Sequence, residues 1–225
     1  GAGLHRATAV MGAAPSGGRV MVWRAEAAAS TPIRGGAADV SSFLDSLADS
    51  DFIVRADDSV VSCEPAAKQG GGGGGGEGEA GRYVAAIAPL RLPGLTVRPT
   101  AFIRVDRLSD GGLRYTTERV DNAFEGSFRG LAERVTPTIT AATTLRAEER
   151  CLAAEAEFEL TMPLPSWWPI PAPAMDAGGA LISRLVEKDT RVSLERVIGE
   201  YEARRGAAAA GGAEQQQGGG VRADE

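Results

Sequence analysis

Four acidic residues in the middle of the chain have the type and spacing that acid–base chemistry could use. Asp106, Glu118, Asp121 and Glu125 fall on neighbouring predicted strands. A carboxyl group transfers protons near neutral pH only where burial or a neighbouring charge raises its pKa, and this spacing does not require either. We therefore predict that the four are hydrated charges at hairpin edges. An enzyme that uses one buried carboxylate is kept as a hypothesis.

Other common catalytic sets lack an essential residue. The only histidine is His5, near the start of the chain, so neither a Ser-His-Asp nor a Cys-His set has its base within the folded region. Zinc sites need several His or Cys ligands, and Cys63 and Cys151 stand in different segments. We predict two half-buried thiols, with a redox-switched pair as the alternative. We predict no catalytic residue, no metal site and no cofactor.

Further charges occur inside predicted strands. Arg104 and Arg119 lie in mid-strand, where an inward guanidinium could hold a carboxylate or phosphate through two parallel hydrogen bonds. The alternative is an outward charge on the hydrated face of a sheet. Glu155, Glu157 and Glu159 alternate with apolar residues, which indicates a solvent-facing row rather than a set of metal ligands.

The composition limits the class of protein and its partners. The chain has 225 residues and a formal net charge of −6, without a basic stripe, so nucleic acid is not a predicted partner. No apolar run approaches the roughly 20 residues that a membrane-spanning helix needs. About 170 residues have foldable sequence, which suits one domain with a hydrophobic core.

Three segments are predicted to be disordered: 1–36, the glycine-rich loop 68–81 and the tail 206–225. The first is poor in acids and contains several arginines, which is typical of an organelle transit peptide or its remnant; the alternative is a plain extension. A first strand could form near 19–27. The glycine run lacks the GK[ST] ending of a phosphate-binding loop, so we predict a flexible insertion.

The apolar periodicity predicts one α+β domain over 37–205. A short amphipathic helix is expected to begin at an Asp39 cap and to end near residues 49–51. An antiparallel sheet of about six or seven strands follows, in which "FEGSFRGLAERVTPTI" is a bulged or edge strand because it contains a proline. A long helix then has apolar positions from Leu181 to Tyr201, and these must cover the sheet.

A strip of prolines and tryptophans connects the last strand to this helix. Five prolines and the adjacent Trp167 and Trp168 occupy "PLPSWWPIPAP". Prolines fix φ and disfavour both strand and helix, which predicts a semi-rigid extended connector. Adjacent residues in an extended chain point in opposite directions, so one tryptophan is expected to plug the core. The other would face outward, as suits a cavity rim, a partner surface or a membrane interface.

Three stretches of this arrangement resemble a known family. They are "LTVRPTAFIRV" (95–105), "EFELTMPLPSWWPIP" (157–171) and "AGGALISRLVEKDTRVSLERVIGEY" (177–201). Over about residues 38–205 the chain is similar to the DUF1997 family of cyanobacteria and plastid-bearing eukaryotes, within the START-like (SRPBCC) superfamily. It departs from the family at Arg204 and Arg205, where a tryptophan is common, and in its glycine loop.

The resemblance implies a helix-grip fold, with a sheet wrapped around a long C-terminal helix and a deep cavity between them for a lipid, sterol, pigment or polyketide-like molecule. It also implies a photosynthetic host. We therefore predict non-catalytic binding of a lipophilic small molecule in the chloroplast, in the stroma or peripheral to the thylakoid membrane. The alternatives are an interaction or assembly factor with a filled cavity, bound to a plastid protein, and a cyclase- or hydrolase-like enzyme. The predicted ligand-binding residues are Ile103, Val105, Tyr115, Phe158, Leu160, Trp167, Trp168, Leu181, Leu185, Arg104 and Arg119.

Overall fold

The computed structural model describes residues 6–13, 19–66, 78–164 and 172–217. Within these residues, nine strands form one antiparallel sheet in the order β1-β2-β9-β8-β7-β6-β4-β3, and β5 pairs with β6. The strands are β1 Arg6–Ala13, β2 Arg19–Pro32, β3 Val60–Pro65, β4 Glu79–Ile87, β5 Leu90–Leu92, β6 Leu95–Arg107, β7 Leu113–Glu125, β8 Thr138–Ala147 and β9 Cys151–Leu164. The helices are α1 Ala37–Ala48, α2 Phe52–Arg55, α3 Arg129–Ala132 and α4 Ala172–Gln217, with a 3₁₀ turn at Glu133–Val135.

The long helix α4 lies along one side of the sheet, which confirms the predicted α+β fold class. Its main contacts are with β2, β9 and β1, whereas α1 approaches β6, β7 and β8. Trp23 Nε1 donates a hydrogen bond to the Met175 carbonyl at 3.1 Å, and the Tyr201 hydroxyl donates to the Arg34 carbonyl at 3.1 Å. The segment 175–201 of α4 is therefore attached to the rest of the domain at both ends.

Helix α1 forms where the apolar spacing predicts it, but its cap differs from the prediction. The N-cap is Gly36, and Asp39 is the third helical residue, whose carboxylate accepts from the Gly36 N–H at 3.3 Å. Asp39 therefore closes the first turn from inside the helix. The predicted inner positions are buried: Val40, Phe43, Leu44 and Leu47.

Parts of two segments that composition predicts as disordered have regular structure. In 1–36, strand β1 pairs with β2, and β2 pairs with β9 over its full length. Met21, Trp23, Ala25 and Ala27 alternate as buried residues along β2, and this apolar face stabilises the strand despite the biased composition. Helix α4 continues past Arg205 to Gln217, through alanines, which have the highest helix propensity. In the glycine-rich loop, residues 67–77 lie outside the described ranges.

The segment predicted as a bulged strand, "FEGSFRGLAERVTPTI", is instead a connector with two helical turns between β7 and β8. Gly126 begins it with φ of 112°, and a Cβ there would stand 2.5 Å from the Gly94 carbonyl oxygen. Only glycine fits such a conformation and such a close approach. The Phe128 N–H donates to the same carbonyl at 3.2 Å, so the connector is tied to the turn between β5 and β6.

The inner face of the sheet is filled where both helices cover it. Leu113, Leu145 and Leu152 are each 1% exposed. They pack in one cluster with Leu44 of α1 and Leu194 of α4. Burying a leucine of this kind contributes about 1.5–3 kcal/mol. This cluster forms the hydrophobic core of the domain.

Candidate functional site

The other half of the inner face is partly open on β6, β7 and β8, whereas on β2 and β9 it holds the buried cluster of Met21, Trp23 and Leu164. It lies where β6 begins, β7 ends, β8 begins and β9 ends, which are neighbouring strand ends in the antiparallel order. Along β7, Val120, Asn122 and Phe124 are half-buried, whereas the residues between them are exposed. The half-buried inner residues of this end form a surface that we call the open strip: Val97, Pro99, Thr117, Val120, Asn122, Phe124, Ile139, Ala141, Phe158 and Leu160.

Strand register places the open strip on the inner face. Val120 pairs with the buried Ala101 of β6, and Phe158 pairs with the buried Ala25 of β2. Residues directly opposite each other in an antiparallel ladder point to the same side of the sheet. Because α4 makes its main contacts with β1, β2 and β9, the part of the strip on β6, β7 and β8 lies beside the helix. The strip is therefore a mostly apolar part of the inner face that remains partly open to solvent.

Tyr115 connects the sheet to α4 at the border between the core and the strip. Its side chain forms hydrogen bonds with Thr143 of β8 and Ser193 of α4. Burial of the phenol raises its pKa, and these hydrogen bonds oppose the shift. The group therefore stays protonated at physiological pH and holds the helix at the edge of the strip.

Asp189 stands one helical turn before Ser193 and is the acidic residue at this border. Although the residue is exposed, the atoms packed around its carboxyl group desolvate it and raise its pKa, and the charge of Asp57 adds to the rise. Lys188 opposes the shift. The sequence places Asp189 on the polar side of a helix and gives no signal of this environment.

Asn122 supplies the amide group of the open strip and is the only asparagine of the chain. Its Nδ2 is buried without a hydrogen-bond partner in the described part of the protein. An unsatisfied buried amide costs about 1–3 kcal/mol, and a bound molecule with an acceptor oxygen would remove part of that cost. Sequence reasoning missed this residue because its inward direction depends on an irregularity of β7.

That irregularity is a bulge at Glu118, where the partner of Phe102 is Arg119 and the partner of Ile103 is Thr117. The extra residue changes the phase of β7, so that Thr117 and Val120 both face inward. Without the bulge, strict alternation would turn Arg119 inward. The bulge therefore decides which residues of β7 can reach a ligand.

The inward orientation that ligand binding by Arg104 and Arg119 would require is not observed; both point outward, as the alternative predicts. Arg104 Nε is 2.9 Å from Asp106 Oδ2, and its Nη1 is 3.2 Å from Glu118 Oε1. Arg119 pairs with Asp121 at 3.0 Å, and its guanidinium lies 3.9 Å from the centre of the Phe102 ring. All of these groups stand on the outer face.

The four acids singled out for proton transfer share that outer face. Asp106 and Glu118 pair with Arg104, Asp121 pairs with Arg119, and Glu125 pairs with Arg98 at 2.9 Å. Surface ion pairs of this kind contribute little to stability, about 0–1 kcal/mol each. They do not form a buried acid–base pair, so Asp189 becomes the acid that an enzyme hypothesis would have to use.

The prediction that Leu181 and Leu185 line the interior is also wrong. They are 59% and 49% exposed, whereas Leu194 and Val197 are each 1% exposed. At about 100° per residue, Leu181 and Leu185 lie on the opposite side of α4 from Leu194 and Val197. The apolar residues of this helix are spread around its circumference, so the spacing alone did not identify the buried side.

The remaining predicted residues divide between core, strip and undescribed sequence. Ile103 and Val105 are buried in a cluster with Tyr83 and Ala85 of β4 and belong to the core wall. Phe158 and Leu160 lie in the open strip. Trp167 and Trp168 lie outside the described residues.

Both cysteines are free thiols, Cys63 buried and Cys151 half-buried. Desolvation raises the pKa of Cys63, and the hydrogen bond to Glu148 raises the pKa of Cys151. Four strands separate β9 from β3 in the sheet, so the two thiols lie too far apart to pair. The structure therefore agrees with separate packing roles and excludes a disulfide between them in this fold.

Two recesses are present in the described residues. One, of about 350 Å³, is lined by residues of α1 and α4 that include Phe43, Tyr201 and Arg204. The other, of about 370 Å³, is lined mainly by outward residues of β2, β7, β8 and β9 such as Arg24, Arg114 and Glu157, and it also touches Ala141 and Phe158 of the strip. In the described ranges, no helix has an apolar stretch long enough to cross a membrane, and no group of three or more His, Cys, Asp or Glu residues could hold a metal.

Comparison with known proteins gives structural similarity only. No family model and no curated protein sequence matches the chain. Similar solved structures include the Zhui aromatase/cyclase from Streptomyces sp. R1128, at 12% identity and a TM-score of 0.45, over 80% of this chain and 95% of that one. A START superfamily protein from Mycobacterium smegmatis has 10% identity and a TM-score of 0.36, over 74% and 96%. Norcoclaurine synthase from Thalictrum flavum has 10% identity and a TM-score of 0.38, over 80% and 87%.

These neighbours differ in function, and their low scores carry no argument about the function of this chain. They include an aromatase/cyclase and a synthase as well as a START superfamily protein named without an activity. Membership of the DUF1997 family, and the plastid origin that it implies, remain predictions.

Proposed function

We propose that this protein binds a lipophilic small molecule in the open strip and does not convert it. The observation that carries the proposal is the partial exposure of inner side chains such as Phe124 and Ile139, on the same face whose other half holds the buried core. Apolar surface left in water costs about 25 cal/mol for each Å². A bound apolar molecule would recover that free energy, and concave apolar walls with few polar groups are typical of ligand sites.

The polar content of the strip supports a neutral ligand. None of its ten residues is charged; Thr117 supplies a hydroxyl and Asn122 an amide. A charged ligand would lose its hydration without gaining an ion pair from these residues. The absence of a charge in the strip also supports a binding role over acid–base catalysis. In the enzyme alternative, Asp189→Asn should abolish an activity that the wild type shows, and this substitution therefore tests that alternative directly.

Two substitutions of adjacent alanines on β8 test the binding proposal. Ala141 lies in the strip and pairs with Phe158, whereas Ala142 pairs with the exposed Glu157 and points to the other face. Titration with the apolar dye 1-N-phenylnaphthylamine should show binding by the wild type. Ala141→Trp should fill the strip and weaken binding at least tenfold, whereas Ala142→Trp should change it less than twofold. Equal effects of the two substitutions, or no dye binding by the wild type, would contradict the proposal.

We further propose that the protein works in the chloroplast, in the stroma or at the thylakoid surface. The family resemblance of residues 38–205 supports this location. Since β1 and β2 belong to the sheet, the test should use the whole chain with a C-terminal fluorescent protein. Fluorescence in the cytosol of a photosynthetic host cell would contradict the location.

The exposed leucines of α4 favour a second candidate, an interaction or assembly factor. Leu181 and Leu185 are one helical turn apart and exposed, so they present a small apolar surface. A plastid protein captured by the wild type and lost with Leu181→Ser/Leu185→Ser would support this candidate, provided that no dye binds in the strip. Retention of the partner by the double variant would contradict it.

A further inference from the structure

Three exposed apolar side chains lie on β5 and on the connector after β7, at the end of the sheet where the open strip lies. Leu90 is 55% exposed, Phe128 is 55% exposed and Leu131 is 40% exposed. Leu90 lies on β5, and the other two lie in the connector that follows β7. We call these three residues the apolar rim. They stand at the same end of the sheet as the half-buried residues of the strip.

The contacts of Gly94 join the rim into one structure. The N–H of Phe128 and the hydroxyl of Ser127 both donate to the Gly94 carbonyl, at 3.2 and 3.4 Å. A Cβ on Gly94 would lie 2.7 Å from the Phe128 ring, so the ring packs directly on the turn between β5 and β6. Leu90 pairs with Val97, which belongs to the strip. The rim is therefore continuous with the proposed ligand site.

Two arginines without ion pairs accompany the rim. Arg91 follows Leu90 on β5, and Arg134 lies in the 3₁₀ turn after Leu131; both are exposed. Neither makes an ion pair with any residue that the structure describes, whereas Arg98 and Arg129 close by are paired with Glu125 and Glu133. Exposed leucine and phenylalanine beside free arginine is a composition suited to a lipid interface with anionic headgroups.

The size of the rim favours a membrane over a protein partner. A stable protein interface buries about 800 Å² on each side, which is more than three side chains supply. Shallow insertion of one ring and two leucines into the headgroup region, helped by two cations, is enough for reversible membrane binding. A membrane is also the place where a lipophilic ligand is dissolved.

We propose that the apolar rim docks the open end of the sheet on an anionic membrane surface, from which the ligand enters the strip. The second part of this proposal rests on the proposed binding function. The docking itself does not, because it depends only on the rim residues and the two arginines. The two parts can therefore fail separately.

Flotation of the full chain with vesicles tests the docking. With phosphatidylcholine vesicles that contain 30% phosphatidylglycerol, Phe128→Ser/Leu131→Ser should lower the bound fraction about tenfold relative to the wild type. The matched control is Leu181→Ser/Leu185→Ser, which removes leucines of similar exposure from α4 and should change binding less than twofold. Arg91→Gln/Arg134→Gln should abolish the preference for phosphatidylglycerol, with a loss of about tenfold.

Dye binding separates the two proposals. The variant Phe128→Ser/Leu131→Ser should still bind 1-N-phenylnaphthylamine as the wild type does, because neither residue belongs to the strip. A wild type that binds the dye but does not float overturns the docking and leaves the binding function. A wild type that floats but does not bind the dye leaves the docking and overturns the ligand's entry. A dimer that the rim variant abolishes, without flotation, shows a protein interface and overturns the membrane proposal.

Discussion

The two halves of the inner sheet face have the same strands and the same alternation but different coverage. On β8, Leu145 is 1% exposed, whereas Ile139 is half-buried; on β7, Leu113 and Phe124 differ in the same way. Helix α1 and the segment of α4 around Leu194 cover the first half. The apolar residues of the second half face the same direction without that cover. Inward direction and burial are therefore separate properties, and the difference between them makes room for a ligand.

The largest expected effect compares two large residues of β8. Leu145→Ala leaves a cavity in the filled half and should lower the free energy of unfolding by about 2–5 kcal/mol. Ile139→Ala should cost about 1 kcal/mol or less, because solvent already reaches part of that side chain and fewer contacts are lost. Urea denaturation of the two variants measures both values.

Equal losses in the two variants would mean that the open strip is as well packed as the core. In that case the protein would have no apolar surface to cover with a ligand. A smaller loss for Ile139→Ala than for Leu145→Ala would support the ligand site. Saturating dye should then enlarge the loss caused by Ile139→Ala, because the dye stabilises the wild type, which binds it, more than the variant.

The sheet was largely predictable because strand alternation has a period of two residues. In β9, the apolar residues that alternate with Glu155 and Glu157 are predicted to share the dry face, and Leu152, Ala154 and Ala156 are buried there. The burial side of α4 was not predictable, since apolar residues occur around its circumference and the contact with β2 decides between them. β1 and the helical turns of the connector also depend on tertiary contacts, such as the pairing with β2 and the approach to Gly94.

The candidate site was predictable only in part, for the same physical reason. Phe158 and Leu160 follow the regular alternation of β9 and lie in the strip. Asn122 and Val120 face inward only because the bulge at Glu118 changes the phase of β7. A single inserted residue leaves no reliable signal in the alternation of one sequence. The structure was required to find the polar group of the site.

The attachment of α4 near the open half gives the second prediction. Trp23→Phe removes the hydrogen bond to the Met175 carbonyl and should lower stability by about 1 kcal/mol. Native-state hydrogen exchange should show lost protection in the first part of α4 and unchanged protection around Leu194. The matched control is Tyr201→Phe, which removes the hydrogen bond to Arg34 at the filled half and should act there instead. Uniform loss of protection in both variants would show that the two halves unfold together.

Asp189 gives a prediction with a definite pH dependence. Folding raises the pKa of the Asp189 carboxyl group. At a pH above this raised pKa the group is ionised, and its desolvation lowers the stability of the fold. At a pH below the pKa of the same group in the unfolded chain, about 4, it is protonated in both states and this cost is absent. Asp189→Asn should therefore raise the melting temperature at pH 7 and leave it unchanged near pH 3.5. A gain at pH 3.5 equal to that at pH 7 would contradict the desolvation of Asp189.

The smallest expected effect concerns Arg119 and tests the register that defines the strip. Methionine at this position retains a long side chain that can pack on the Phe102 ring, while the exposed pair with Asp121 is lost. Exposed pairs contribute about 0–1 kcal/mol, so Arg119→Met should change the free energy of unfolding by about 0.5 kcal/mol and the dye affinity by less than twofold. The bulge at Glu118 is what directs Arg119 outward and Val120 inward. A large loss of dye affinity in this variant would mean that Arg119 reaches the ligand. In that case Arg119 would face inward, and Val120, Asn122 and Phe124 would face outward instead of belonging to the strip.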